Sequence, residues 1–275
     1  MTNVGEQNQE TDNRVSATHL DKGDLSNEYI YEQALLITEA AAKQNVILRL
    51  IGATAFINHC PKYNYLYDKL ERELTDVDLM SYSKTPVDQL EKLFRDIGYE
   101  PIRALGWHST TRDIFVNEKK LYVDIFRDVL SFCHPISFIG RLELDYPTIP
   151  LVDLLLEKLQ IVMINEKDLF DVIILLLEHD FGDDKDPNVI DLKRIINLWT
   201  TDWGFNYTGF MNLRKAQAYI DGMRLLSSAE KKSVIDKIEF LIKQVETAPK
   251  TLRWKLRGKI GTKVRWYEEV ESVER

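Results

Sequence analysis

The chain has 275 residues, 44% of them hydrophobic and 29% charged, which suits a folded protein with a sizeable core in one large domain or two ordinary ones. Its formal charge of −8 excludes general nucleic-acid binding, so any such role has to be local. Two cysteines, Cys60 and Cys133, exclude a disulfide scaffold and point to a reducing cytosol.

No stretch approaches the roughly 18 uninterrupted apolar residues of a membrane span, so a membrane location is not expected and a cytoplasmic one is. Residues 1–27 are polar, lack the apolar core of a signal peptide, and read as a disordered tail. Ser26 or Asn27 can cap a helix in which Ile30, Ala34, Ile37 and Ala41 recur at helical spacing. Val46–Ile51 switches to an apolar run that predicts a buried strand, ended by Gly52. A short helix then starts at Ala53 and breaks before Pro61. A strand that turns through glycine into a helix presents free backbone N–H groups, which favour phosphate. An ordinary strand-to-helix turn has the same pattern.

Residues Pro61–Glu73 read as a loop or partial helix. In the strand-like run Leu74–Met80, Asp76 and Asp78 lie one residue apart. Alternate strand residues share a face, so the two carboxylates project together. Like charges so placed call for a cation between them, and a divalent ion is the natural candidate; two surface aspartates give the same pattern. Thr85–Pro86 reads as a helix start, Val87 to Ile97 supply a buried face, and Gly98 reads as a stop. Tyr99–Leu105 predicts a strand. Ile114–Val116 and Leu121–Phe126 flank a polar turn and read as a hairpin, with Asp124 embedded among Val123, Ile125 and Phe126.

Residues Asp128–Tyr146 carry no clear pattern beyond short strands. Beyond Pro150 the periodicity is helical: Leu151–Ile164, Lys167–Glu178, Pro187–Trp199, Gly209–Leu226 and Ala229–Glu246, the last capped by Ser227 or Ser228. The fold class read from this pattern is α+β, a mixed sheet with flanking helices followed by a mostly helical C-terminal half. The boundary falls at Pro150, giving an α/β domain over 28–149 and a helical domain over 150–275. Lys250–Arg265 concentrates seven cations with Trp254 and Trp266. It reads either as a basic helix docked on the acidic body or as an RNA or phosphate contact.

Gly52, then Asp76 and Asp78, then Asp124 form an ordered set. Three carboxylates on neighbouring strands can hold divalent ions, with Asp124 as a further ligand or as the base for an acceptor hydroxyl. At these residues the sequence resembles the DNA-polymerase-β-like nucleotidyltransferase superfamily. LIGATAFINH looks like its glycine-led helix start, RELTDVDL like its Asp-x-Asp, and LYVDIF like its third aspartate. Arg72 matches a basic residue often found before the Asp-x-Asp. Leu156–Leu159 and Glu166–Asp171 resemble helices of the AbiE-type toxin branch, so Lys158 and Asp171, with Asp168 close by, match that branch's phosphate-facing lysine and site-holding aspartate. The resemblance covers about 46–177. It implies a Mg2+- or Mn2+-dependent transfer of NMP from an NTP to a hydroxyl of RNA, protein or a small molecule. Asp76, Asp78 and Asp124 would bind metal, and Gly52, Ala53, Thr54, Arg72, Lys158 and Asp171 would bind nucleotide. Asp76, Asp78, Asp124 and Lys158 would be the catalytic set. It also implies a possible toxin role with a cognate antitoxin. Ala53 stands where the family usually carries Gly or Ser, with the Thr54 hydroxyl one residue on. A catalytically degenerate fold that binds nucleotide or a partner is therefore the alternative.

Other sets read more plainly. His59–Cys60 and Cys133–His134 lack zinc-finger or ribbon spacing. His108 and Arg112, just before the hairpin, are within reach of a nucleotide but read first as a surface turn, Asp183–Asp186 reads as an acidic interhelix loop, and Trp199, Trp203 and Phe205 read as packing.

Overall fold

The computed structural model describes residues 25–102, 112–183 and 186–269. The expected tail, His108, and part of the Asp183–Asp186 loop lie outside or at the edge of that range. The architecture is α+β, with the five-stranded sheet in the first half and helices dominating the second.

Helix α1 (Asn27–Lys43) starts at Ser26, whose hydroxyl accepts the N–H of Tyr29, and buries Ile30, Ala34, Ile37 and Ala41 as their spacing predicts. Strand β1 (Arg49–Ile51) runs directly into α2 (Gly52–His59), and α3 (Tyr65–Lys69) follows. Then come β2 (Asp76–Ser81), α4 (Val87–Asp96), β3 (Tyr99–Pro101), β4 (Arg112–Asn117) and β5 (Tyr122–Arg127). The predicted start of α4 shifts by one residue: Pro86 precedes the first helical residue and supplies no side-chain cap.

These strands form one sheet in the order β1-β2-β5-β4-β3. Every pairing is antiparallel except β2 with β5, which run parallel. The hairpin read from the sequence is β4–β5. Register matters more than strand count here. Asp78 lies opposite Asp124 on one side and opposite Ile51 on the other. Val77, Leu79, Val123 and Ile125 project from the opposite face into the core, and all are fully buried. The period of two therefore puts the three carboxylates on one face and these four apolar residues on the other.

A small hairpin, β6 (Val129–Ser131) with β7 (Pro135–Ser137), fills the region of unclear pattern. Helices α5 (Leu151–Leu159) and α6 (Glu166–Glu178) follow, α5 buried along its whole length and α6 from Leu169 to Leu177. Helix α5 stops five residues short of the predicted end. Asn212 donates to the carbonyls of Leu159 and Ile161 at 3.0 and 2.8 Å, satisfying acceptors that a longer helix would have used. Two short parallel strands, β8 (Phe181–Gly182) and β9 (Ile190–Asp191), lead into α7 (Leu192–Thr201), where a helix from Pro187 had been expected. Helices α8 (Trp203–Gly222), α9 (Ser228–Thr247) and α10 (Leu252–Ile260) follow, then a 3-10 turn over Gly261–Lys263, with a full capping box of Ser227 and Glu230 opening α9. Helix α2 packs on β1 and β2 on one side and on α5 and α6 on the other, so it joins the sheet to the helical half.

Candidate metal and nucleotide site

The site starts from the parallel pairing of β2 and β5. One oxygen from each of Asp76, Asp78 and Asp124 lies within 4.8 Å of the others. The donor set is three hard carboxylate oxygens, which suits a magnesium- or manganese-type ion. Thr75 Oγ1 donates to Asp76 Oδ1 at 3.0 Å. Arg112 is a strand residue rather than part of a surface turn, and its guanidinium stands 3.6 Å from Asp124 Oδ2 and over the Phe126 ring.

Gly52 sits beside this set because Ile51 is the register partner of Asp78. Its φ is +63°, and a Cβ added there would stand 2.9 Å from Asp78 Oδ2. Glycine is required twice over, by the left-handed backbone and by the approach of the carboxylate. Ala53 lines the same cleft. Thr54 lines it too but is almost fully buried, and its hydroxyl turns back to donate to the Ile51 carbonyl at 3.4 Å.

A cleft of ≈ 200 Å³ brings Gly52, Arg72, Asp76 and Asp78 together with Lys158 and Asp168. Lys158 Nζ lies 2.9 Å from Asp168 Oδ1 and 3.2 Å from Asp171 Oδ2. Burial alone would lower the Lys158 pKa, but Asp171, Asp168 and Glu157 outweigh burial and hold it above the ordinary value. Asp171 is fully buried beneath the cleft. It accepts from Tyr67 Oη at 2.9 Å and pairs with Arg72 at 3.4 Å. It therefore positions Lys158 and Arg72 rather than lining the cleft itself.

Sequence reasoning missed Glu157. The Gly52 N–H, expected to face phosphate, donates to both oxygens of Glu157 at 3.1 and 3.2 Å. Burial pushes the Glu157 carboxyl up to about 7, against the opposing pull of Lys158 and of the Gly52 N–H. The signal was adjacency: Glu157 immediately precedes Lys158 on a helix with no exposed face, so both side chains had to find polar partners inside.

No protein-family model and no curated protein matches the sequence. One solved structure, described as an antigenic nucleotidyltransferase-like protein from Paracoccidioides brasiliensis, is similar over 76% of this chain and 94% of its own, with 15% identity and a TM-score of 0.40. A likeness at that level leaves the functional argument to the residues themselves. No helix among the described residues is long and apolar enough to cross a membrane.

Proposed function

We propose that this chain is a divalent-metal-dependent nucleotidyltransferase. The observation that carries the reading is the convergence of Asp76, Asp78 and Asp124 within 4.8 Å, with Asp76 and Asp78 on the wall of a cleft that Lys158 also lines. Mg2+ or Mn2+ bound there would polarise the α-phosphate and lower the pKa of an acceptor hydroxyl. Asp76 and Asp78 supply the ligands from β2, and Asp124 adds a third ligand or takes the acceptor's proton. Lys158, which lines the same cleft and is kept charged by Asp168 and Asp171, offsets triphosphate charge. The acceptor oxygen forms a bond to the α-phosphorus as the bond to pyrophosphate breaks. In this reading residues 28–149 supply the carboxylates and the helical half from 150 onward supplies the lysine.

The finer reading is a toxin-like enzyme in the cytoplasm, acting on RNA or protein and paired with an antitoxin. It rests on the resemblance of the helices carrying Lys158 and Asp171, and it belongs to the same proposal. Incubation with each of the four NTPs and Mn2+, followed by measurement of pyrophosphate, is the test. Wild-type protein releases pyrophosphate, and Asp76→Asn with Asp78→Asn reduces the release to background. Equal release by both proteins removes the enzyme reading.

A second reading, a degenerate fold that binds nucleotide without transfer, has its own support. Ala53 has no hydroxyl, the Thr54 hydroxyl is turned inward, and the Gly52 N–H is already taken. Metal-dependent NTP binding without pyrophosphate release is its signature.

A further inference from the structure

The phosphate-binding turn is already filled. The Gly52 N–H, first in the α2 turn, is held by two oxygens of a carboxylate that is 5% exposed and belongs to the chain itself. Glu157 reaches this position from α5, a helix packed directly on α2, and it lines the same cleft as the aspartates. Among the named groups around the cleft, carboxylates outnumber cations. Asp76, Asp78, Glu157 and Asp168 line it with Arg72 and Lys158, each of which also pairs with Asp171, and Arg112 stands 3.6 Å from Asp124 behind it. A triphosphate entering without a cation would meet this surplus of negative charge, and Glu157 would stand at the N–H it seeks.

Resting on the nucleotidyltransferase reading, we infer that Glu157 is a positioning residue that makes nucleotide binding depend on metal, by competing with phosphate for the Gly52 N–H. Glu157 keeps the turn closed and the Gly52 backbone against Asp78 until a cation offsets the local charge. The triphosphate then takes over the N–H, and Glu157 gives it up. The ligand class this admits is a metal-bound polyphosphate; free nucleotide is turned away.

Titration calorimetry with ATP, GTP, CTP and UTP, each in Mn2+ and in excess EDTA, tests this on the full chain. The proteins are wild type, Glu157→Gln and Glu157→Ala. Glutamine keeps the shape and an acceptor for the Gly52 N–H while losing the charge, and alanine frees the N–H outright. Thermal melts of all three accompany the titrations. The expected result is that wild type binds NTP only with Mn2+, and that both variants raise the ratio of metal-free to metal-bound affinity by about tenfold or more. A residue needed only for folding would lower Tm without raising that ratio. An unchanged or lowered ratio in both variants overturns the inference while leaving the enzyme reading in place. If the variants bind NTP and wild type with Mn2+ does not, the competition stands and the enzyme reading falls. If none of the three binds under either condition, both fall.

Discussion

Gly52 is the residue at which backbone, metal ligand and phosphate turn meet, and its requirements can be tested singly. Alanine there must adopt a φ of +63° and place its Cβ 2.9 Å from Asp78 Oδ2. The left-handed backbone costs an L-residue about 1–2 kcal/mol, and the close approach adds displacement of the carboxylate. Gly52→Ala is therefore expected to lose roughly 1–3 kcal/mol in urea unfolding, and to weaken Mn2+ binding measured by electron paramagnetic resonance. Loss of stability with unchanged Mn2+ affinity would mean that Asp78 does not depend on this contact. The glycine, the Asp-x-Asp and the third aspartate were legible in the sequence because each sits at a fixed offset in a strand or turn. Glu157 was not, because its partner lies 105 residues away and only the packing of α5 on α2 brings them together. Arg112 escaped for the same reason: its meaning comes from the β4–β5 pairing that sets it beside Asp124.

Elements were legible where periodicity and caps agree, as in α1 and α9. Helix α8 shows where they do not. The helix read from the sequence starts at Gly209, but it begins at Trp203 with the Asp202 carboxylate accepting the Phe205 N–H at 2.9 Å. Gly204 and Gly209 are packing residues inside it. A Cβ at Gly209 would stand 2.3 Å from Cζ2 of Trp199, an indole with no exposed surface that packs against Phe205 and Phe210. Gly209→Ala improves intrinsic helix propensity by about 1 kcal/mol, yet it forces the largest side chain of the core to move. Net destabilisation of roughly 1–3 kcal/mol is expected from chemical unfolding, with a change in tryptophan fluorescence. A more stable variant would show that propensity outweighs packing at this helix crossing. The strands β6 to β9, each of two or three residues, stayed unreadable because so few positions cannot display a period.

At the scale of the whole molecule, two buried titratable groups pull the pH dependence of stability in opposite directions. Glu157 is raised from 4.5 to about 7, chiefly by burial. Between those values the folded state binds more protons than the unfolded one, so stability rises as pH falls from 7 towards 4.5. His134 is lowered from 6.5 to about 4, again by burial, with Asp202 opposing. Its ring stacks on Phe205 at 5.1 Å and shares the Thr208 hydroxyl with the indole N–H of Trp266, which fastens the C-terminal segment to α8. Here the unfolded state binds more protons, so stability falls as pH falls from 6.5 towards 4. Each group commands on the order of 3 kcal/mol across its window, and over pH 4.5–6.5 the two nearly cancel. Single variants remove one side of the balance. Glu157→Gln leaves His134 unopposed, so its unfolding free energy should drop on acidification from pH 6.5 to 4.5 more steeply than that of wild type. His134→Gln should do the reverse and gain stability relative to wild type as pH falls. Urea unfolding of the three proteins at half-unit steps from pH 4.5 to 8 reads this, because titrating groups remote from the substituted residue cancel in the differences. Curves for Glu157→Gln and wild type that run parallel across the window would show that the carboxylate at the Gly52 turn does not titrate there.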